Sequence, residues 1–187
     1  RPGRERGYQM KIFRPMTVLA LSVAISACAN PPSPPKPSLH EVMVGSIDPV
    51  ADIIWTESNK AYDDYGKAKP GVLTEAEWNI IAKAGRDLHN GAMAIANDPN
   101  IRAAAPGVKI LDEGKIPEAV TAAQVAVYLD RDRPGLTRHA RELSTIALAI
   151  ETAAKARDVS TTIRLAEELD GVCESCHKRF WFPEGQK

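Results

Sequence analysis

The sequence predicts an all-α protein, folded as an antiparallel four-helix bundle. Only 5% of its 187 residues are aromatic, whereas β-rich domains draw heavily on aromatic and β-branched residues. Four stretches repeat apolar residues at the spacing of an amphipathic helix. A long connection rich in Gly, Pro and Asp separates the second stretch from the third. Four such helices bury their apolar faces most economically against one another.

Composition excludes two classes of protein. The 24 Lys and Arg residues balance 24 Asp and Glu residues, whereas a nucleic-acid-binding protein needs a clustered basic excess. No nucleic-acid partner is therefore expected. Three cysteines cannot close a disulfide scaffold.

The N-terminal residues are expected to direct export. Lys11 and Arg14 precede the apolar stretch 16–25, which suits a signal peptide and is too short to span a bilayer. The small residues before Cys28 resemble a bacterial lipobox, in which the cysteine is lipidated. The alternative is ordinary cleavage near Ala27 or Ala29, which leaves a free Cys28.

A proline-rich stretch follows this signal. Residues 29–38 contain five prolines, which exclude a helix and favour an extended, semi-rigid tether. The sequence thus predicts three parts: a leader with a lipoprotein-type signal peptide over 1–27, a lipidated Cys28 with its tether over 28–38, and one domain over 39–187.

The first two helices have recognisable starts. Asp48-Pro49 predicts an N-cap and first turn of a helix that ends near Gly66. Alternatively, residues 39–47 add a turn or two, and Pro49 is then a kink. Thr74 with Glu77 forms a capping-box pattern that starts the second helix, which ends at Asn97-Asp98-Pro99.

The remaining helices follow the long connection. Residues 98–134 form this connection, with one short helix over 117–129. The apolar stripes predict a third helix over about 135–157 and a fourth over about 160–182.

The fourth helix carries Cys173-Glu174-Ser175-Cys176-His177, the attachment pattern of c-type haem. Two thiols three residues apart share a helix face, and each can add to one haem vinyl group while the histidine ligates iron. A redox CxxC is expected at a helix start beside a βαβ unit, and structural zinc needs four ligands; neither setting is found. The motif predicts one haem c per chain, attached at Cys173 and Cys176, with His177 as the proximal iron ligand.

Four helices, an export signal and CxxCH near the C-terminus resemble the cytochrome c prime family and its methionine-ligated low-spin relatives. The resemblance covers roughly residues 39–182, with Met43, the segment 47–52 and Trp55 as a second anchor. It implies that the first helix faces the distal side of the haem. There it supplies a Met ligand in electron-transfer members, or a bulky apolar residue in five-coordinate gas-binding members. Met43 is the candidate distal ligand.

One position departs from the family pattern. Members commonly have a basic residue four positions after the haem histidine, where this chain has Trp181. Trp181, Phe180 and Phe182 predict an apolar proximal wall that favours ferrous iron. Lys178 and Arg179 could steer an acidic redox partner.

Other residues compete for the distal role. Met43 could simply fill the core. His40 is a rival, although its place beside the tether favours a solvated residue. His89 and His139 fall on apolar stripes, where a hydrogen-bonded core histidine is expected, yet either could give a bis-His haem. Met93 is expected to pack, and Trp55 and Trp78 could be core anchors or haem contacts.

The leading functional expectation is a cytochrome that carries single electrons to and from a periplasmic partner protein. It would face the periplasm on a lipid anchor, preferentially in the outer membrane, or be soluble there if Cys28 is not lipidated. The alternatives are a five-coordinate module that binds nitric oxide or carbon monoxide, and a haem that only staples a lipoprotein. No nucleophile, general base or oxyanion pattern indicates an enzyme. Relatives often dimerise through their first two helices, so a homodimer is an open alternative.

Overall fold

The computed structural model describes residues 35–63, 65–111, 113–115 and 119–181. Within these ranges the regular elements are helices, with no strand. They are α1 (Leu39–Val42), a π-helical segment (Met43–Ile47), α2 (Asp48–Asn59), α3 (Glu75–Ala96), α4 (Ala122–Arg131), α5 (Arg133–Lys155) and α6 (Val159–Phe180). The predicted signal peptide over 1–27 and Cys28 lie outside the described residues. None of the described helices is long and apolar enough to span a membrane.

The first helical stretch runs without a break from α1 through the π segment into α2. Pro49 therefore lies inside a longer helix, as in the second of the two interpretations. In a regular α-helix the ring of Pro49 would clash with the carbonyl of Gly45. The wider π turn, in which the Asp48 N–H donates to the Met43 carbonyl, shifts the hydrogen-bond register just before the proline.

The predicted end of this helix near Gly66 was wrong, because α2 ends at Asn59. The next backbone bonds span three residues, as in the Ala61 N–H to the Ser58 carbonyl at 2.9 Å. The Asp63 carboxylate then accepts hydrogen bonds from the backbone N–H groups of Tyr65 and Lys67. An aspartate that bonds nearby backbone groups offers the chain a turn instead of a helix.

The other helices begin at side-chain caps. Thr74 and Glu77 form the expected capping box at the start of α3. Thr121 and Gln124 form another at the start of α4, which begins later than the predicted residue 117. Asp132 and Asp158 cap α5 and α6, whose bounds lie close to the predicted 135–157 and 160–182.

Helix α3 packs against α5 at a close approach. A Cβ atom at Gly85 would lie 2.8 Å from the Ala147 carbonyl oxygen and 2.8 Å from the Glu151 nitrogen. Only glycine permits this backbone separation. The helices share a core whose largest fully buried side chains include Ile54, Ile81, Leu88, Leu129, Ile150 and Leu169. The packing is that of a helical bundle.

Candidate functional site

All three motif side chains, Cys173, Cys176 and His177, line one cavity of about 200 Å³. Its walls come from the first helical stretch, α3, the long connection, α4, α5 and α6. Most of the lining is apolar, from Leu39, Met43, Val44, Ile47, Ile95, Leu111, Val125, Leu136, Ala140, Leu143, Val172, Phe180 and Trp181; His40, Asp48 and His139 add polar groups.

The register of α6 turns the motif toward this cavity. Leu169 is fully buried and Phe180 is nearly so, and Cys173 and Cys176 lie between them at helical spacing. Residues four and three apart share one helix face. The apolar stripe that anchors α6 in the core therefore also carries both thiols.

Both thiols are held neutral by their surroundings. Burial raises the pKa of Cys173 to about 11, with smaller contributions from Asp170 and Asp48. Burial likewise raises the pKa of Cys176 to about 12, helped by Cys173 and Glu142. A reactive redox cysteine requires the opposite shift, toward the thiolate. These surroundings disfavour a thiol–disulfide function.

The Asp48 carboxyl lies close enough to His177 for the two groups to interact. Partial burial raises the pKa of the Asp48 carboxyl, and the nearby His177 opposes this shift. Among the described residues, no three His, Cys, Asp or Glu side chains converge as a site for a bare metal ion. Haem iron needs only one or two protein ligands, so His177 with one opposite residue suffices for it.

Two of the distal candidates, Met43 and His40, come from the first helical stretch. Met43 is half-buried at the start of the π segment and lines the cavity. His40, one helical turn earlier, is also half-buried and lines it. The expectation that His40 is a solvated residue beside the tether was therefore wrong, because α1 carries it into the cavity wall.

The two core-histidine candidates differ in their surroundings. His89 Nδ1 lies 2.8 Å from the Ser144 hydroxyl, and His89 is not among the described residues that line the cavity. His139 does line it. Its Nδ1 lies 3.3 Å from the Ser175 hydroxyl and 3.3 Å from a Glu142 carboxylate oxygen. Its ring meets Phe180 edge-on.

The large side chains that could have contacted haem lie elsewhere. Trp55 donates its indole N–H to the Ala166 carbonyl at 3.0 Å, and Trp78 is buried in the core. Met93 packs against that core. None of the three lines the cavity in the described part of the chain. Trp181, by contrast, does line it, beside Phe180.

The basic pair after the motif is engaged within the chain. Lys178 pairs with Glu174 at 2.7 Å, and Arg179 pairs with Asp132 at 3.1 Å. Both side chains remain about half exposed. Any steering of an acidic partner would come from charges that these carboxylates already offset in part.

Sequence reasoning missed several wall residues, among them Leu111 and Val125. These two belong to the long connection and to α4, where the predicted short helix had no assigned partner. Only the irregular backbone of the connection brings Leu111 to the cavity. The amphipathic pattern of Val125, Tyr128 and Leu129, all buried, was the available signal for α4.

The donor types in the lining are those that a covalently attached haem uses, whereas the cavity is small for such a group. Two neutral thiols and an imidazole project from one helix, and a methionine faces the same cavity. Small-molecule sites usually occupy about 300–1,000 Å³, so a porphyrin would need side-chain movement or an open edge. Val44 and Leu111 line the cavity and are 44% and 56% exposed, so part of the lining also meets solvent.

Comparisons with protein-family models, with curated proteins and with solved structures found no match to this chain. The assignment of the site therefore depends on the motif and on the geometry around it.

Proposed function

We propose that the protein is a membrane-tethered monohaem c-type cytochrome that carries single electrons. The observation that carries this proposal is the presence of Cys173, Cys176, His177 and Met43 in the lining of one apolar cavity. The motif alone predicts attachment. A methionine in the same lining adds a ligand type that electron-transfer haems use.

The fold we propose is an antiparallel four-helix bundle similar to that of the cytochrome c prime family. The contacts of α3 with α5 support this arrangement. Glu75, at the start of α3, pairs with Arg157, just after the end of α5. Farther along α3, Arg86 pairs with Glu151 and His89 meets Ser144, so residue numbers rise on one helix as they fall on the other.

When bound, haem iron supplies reversible one-electron chemistry. Cys173 and Cys176 would hold the group as thioethers, so that it cannot dissociate. His177 would ligate from α6 and Met43 from the π segment. Methionine as an iron ligand raises the reduction potential of a haem relative to harder donors. Apolar side chains of the cavity wall, such as Ile47 and Leu143, would restrict the access of water to the haem.

We propose that export, lipidation of Cys28 and the tether place this domain at the periplasmic face of a bacterial membrane, where a partner protein exchanges electrons with it. Such a partner would approach on the side of Val44 and Leu111, which line the cavity and are exposed. We propose no enzymatic reaction.

The test of distal ligation is an optical spectrum of the protein produced with haem-attachment machinery. The unaltered protein should be six-coordinate and low-spin when reduced, with sharp α and β bands. Met43→Ala should become high-spin and bind carbon monoxide rapidly, because it removes the sixth ligand. Met93→Ala is the matched control and should stay low-spin, since Met93 packs outside the cavity lining.

Two other results would change the proposal. A high-spin spectrum in the unaltered protein, with rapid carbon monoxide binding, would favour the gas-binding alternative. A low-spin Met43→Ala protein would mean that a histidine ligates instead. His40→Ala and His139→Ala then identify which one, with His89→Ala as the control outside the cavity lining.

A further inference from the structure

The stretch that carries Met43 is fastened at its start to the long connection. We call residues 39–47 the distal segment and residues 98–111 the strap. The Leu39 N–H donates to the Arg102 carbonyl at 2.8 Å, and the His40 N–H donates to the Ala103 carbonyl at 3.0 Å. The first N–H groups of a helix have no partner inside it. In this protein, two carbonyls of the strap accept hydrogen bonds from the first two N–H groups of α1.

The strap is itself fixed in the fold. Ile101, Ala103 and Ile110 are buried, with 2%, 6% and 3% of their surfaces exposed. An ion pair at 3.5 Å also joins Asp98, the first residue of the strap, to Lys36, which lies just before the distal segment. Buried apolar side chains on both sides of the two carbonyls restrict their movement.

Arg133, the first residue of α5, binds the strap next to these carbonyls. Its Nη1 donates to the Ile101 carbonyl at 2.6 Å. Its Nε and Nη2 donate to Asp130 at 3.2 and 2.6 Å. Both of these bonds go to one carboxylate oxygen of Asp130, Oδ1. Together with the bond to Ile101 they restrict rotation of the planar guanidinium.

Asp132, the residue before Arg133, also contacts α6, the helix that carries the CxxCH motif. Asp132 caps α5 by accepting the Gly135 N–H at 2.9 Å, and its other carboxylate oxygen pairs with Arg179 of α6 at 3.1 Å. Contacts thus run from α6 to the start of α5, then through Arg133 to the strap and the distal segment. Both sides of the cavity meet at the residues that precede and begin α5.

We propose that Arg133 is a positioning residue that, through the strap, sets where the distal segment stands over the cavity. Its consequence for iron ligation by Met43 rests on the proposed function. Without Arg133 the strap carbonyls shift more freely, and the distal segment opens more often.

The first test needs no haem. Hydrogen exchange of the Leu39 and His40 amides in Arg133→Met should be faster by about 2- to 30-fold, the usual range for substitutions along a coupled network. Arg133→Lys should fall between this variant and the unaltered protein. Arg157→Met is the matched control: Arg157 makes a similar two-point contact with Glu75, away from the strap, and its loss should leave these amides unchanged.

The second test uses the haem protein. Arg133→Met should bind carbon monoxide faster than Arg157→Met, again by about 2- to 30-fold, because Met43 leaves the iron more often. Equal exchange of the two amides in both variants would overturn the proposal. Faster exchange of these amides with an unchanged rate of carbon monoxide binding would overturn the claim that Arg133 influences ligation of iron by Met43. A protein that attaches no haem would refute the proposed function, while the exchange data would still decide the anchoring by Arg133.

Discussion

Met43 and Met93 have the same side chain and different surroundings. Met43 lines the cavity with the motif residues, whereas Met93 packs against the core. His89 and His139 differ in the same way, since both have a serine hydroxyl near Nδ1 and only His139, of the two, lines the cavity. At the scale of the residue, the residue type limits which roles a side chain can have, and its surroundings in the fold decide which of these roles is open to it.

Glu77, at the start of α3, is expected to stabilise the protein in a pH-dependent way. Its carboxylate accepts the Thr74 N–H and hydroxyl, both at 2.8 Å, and meets Lys60 at 3.0 Å. These bonds, led by the Thr74 backbone N–H, lower the pKa of Glu77 from 4.5 to about 2. A carboxyl with a lowered folded-state pKa stabilises the protein above its unfolded-state pKa. That stabilisation is lost as the pH falls toward 2.

We therefore expect Glu77→Gln to be less stable than the unaltered protein at neutral pH and equally stable near pH 2. Glutamine keeps the shape and an oxygen acceptor for the capping box but cannot ionise. Urea unfolding at both pH values measures the difference. A deficit of the same size at both would show that the charge of Glu77 contributes nothing.

At the scale of the element, the contact of α3 with α5 depends on Gly85. A Cβ atom there would meet backbone of α5 at 2.8 Å, and backbone cannot swing aside as a long side chain can. We expect Gly85→Ala to destabilise the protein by about 1–3 kcal/mol through overpacking, measured by chemical denaturation.

Gly171 on α6 is the control, because nothing lies within 4 Å of a Cβ atom built there. Gly171→Ala should stabilise the helix by about 0.5–1 kcal/mol, the usual difference in helix propensity. If Gly85→Ala were as stable as Gly171→Ala, the α3 and α5 backbones could not be as close as described.

The helices also show which elements can be predicted from sequence. A helix start that depends on a capping residue such as Thr74 can be predicted, because the cap bonds to residues close by in the sequence. The start and end of α3 were predicted correctly. The hydrogen-bond shift at Met43–Ile47 could not be predicted, because Pro49 is compatible both with a helix start and with a kink. The strap is irregular, and only its buried Ile101, Ala103 and Ile110 fix its path.

At the scale of the whole molecule, the all-helical fold was predicted from apolar periodicity and low aromatic content, and the structure confirms it. The motif over 173–177 was visible in the sequence, but its surroundings were not. His40, Leu111, Val125 and His139 come from distant parts of the chain, and only tertiary packing places them in one cavity wall. Haem attachment, distal ligation, electron transfer and membrane tethering stay predictions.

The central claim is that Cys173 and Cys176 hold one haem covalently. The most direct measurement is the intact mass of the exported protein, made together with haem-attachment machinery and extracted with acidified acetone. We expect the mass of one haem to remain on the unaltered protein and on Cys28→Ala, and to be absent from the double variant Cys173→Ala, Cys176→Ala. A folded, helical protein whose mass is that of the polypeptide alone would contradict the claim.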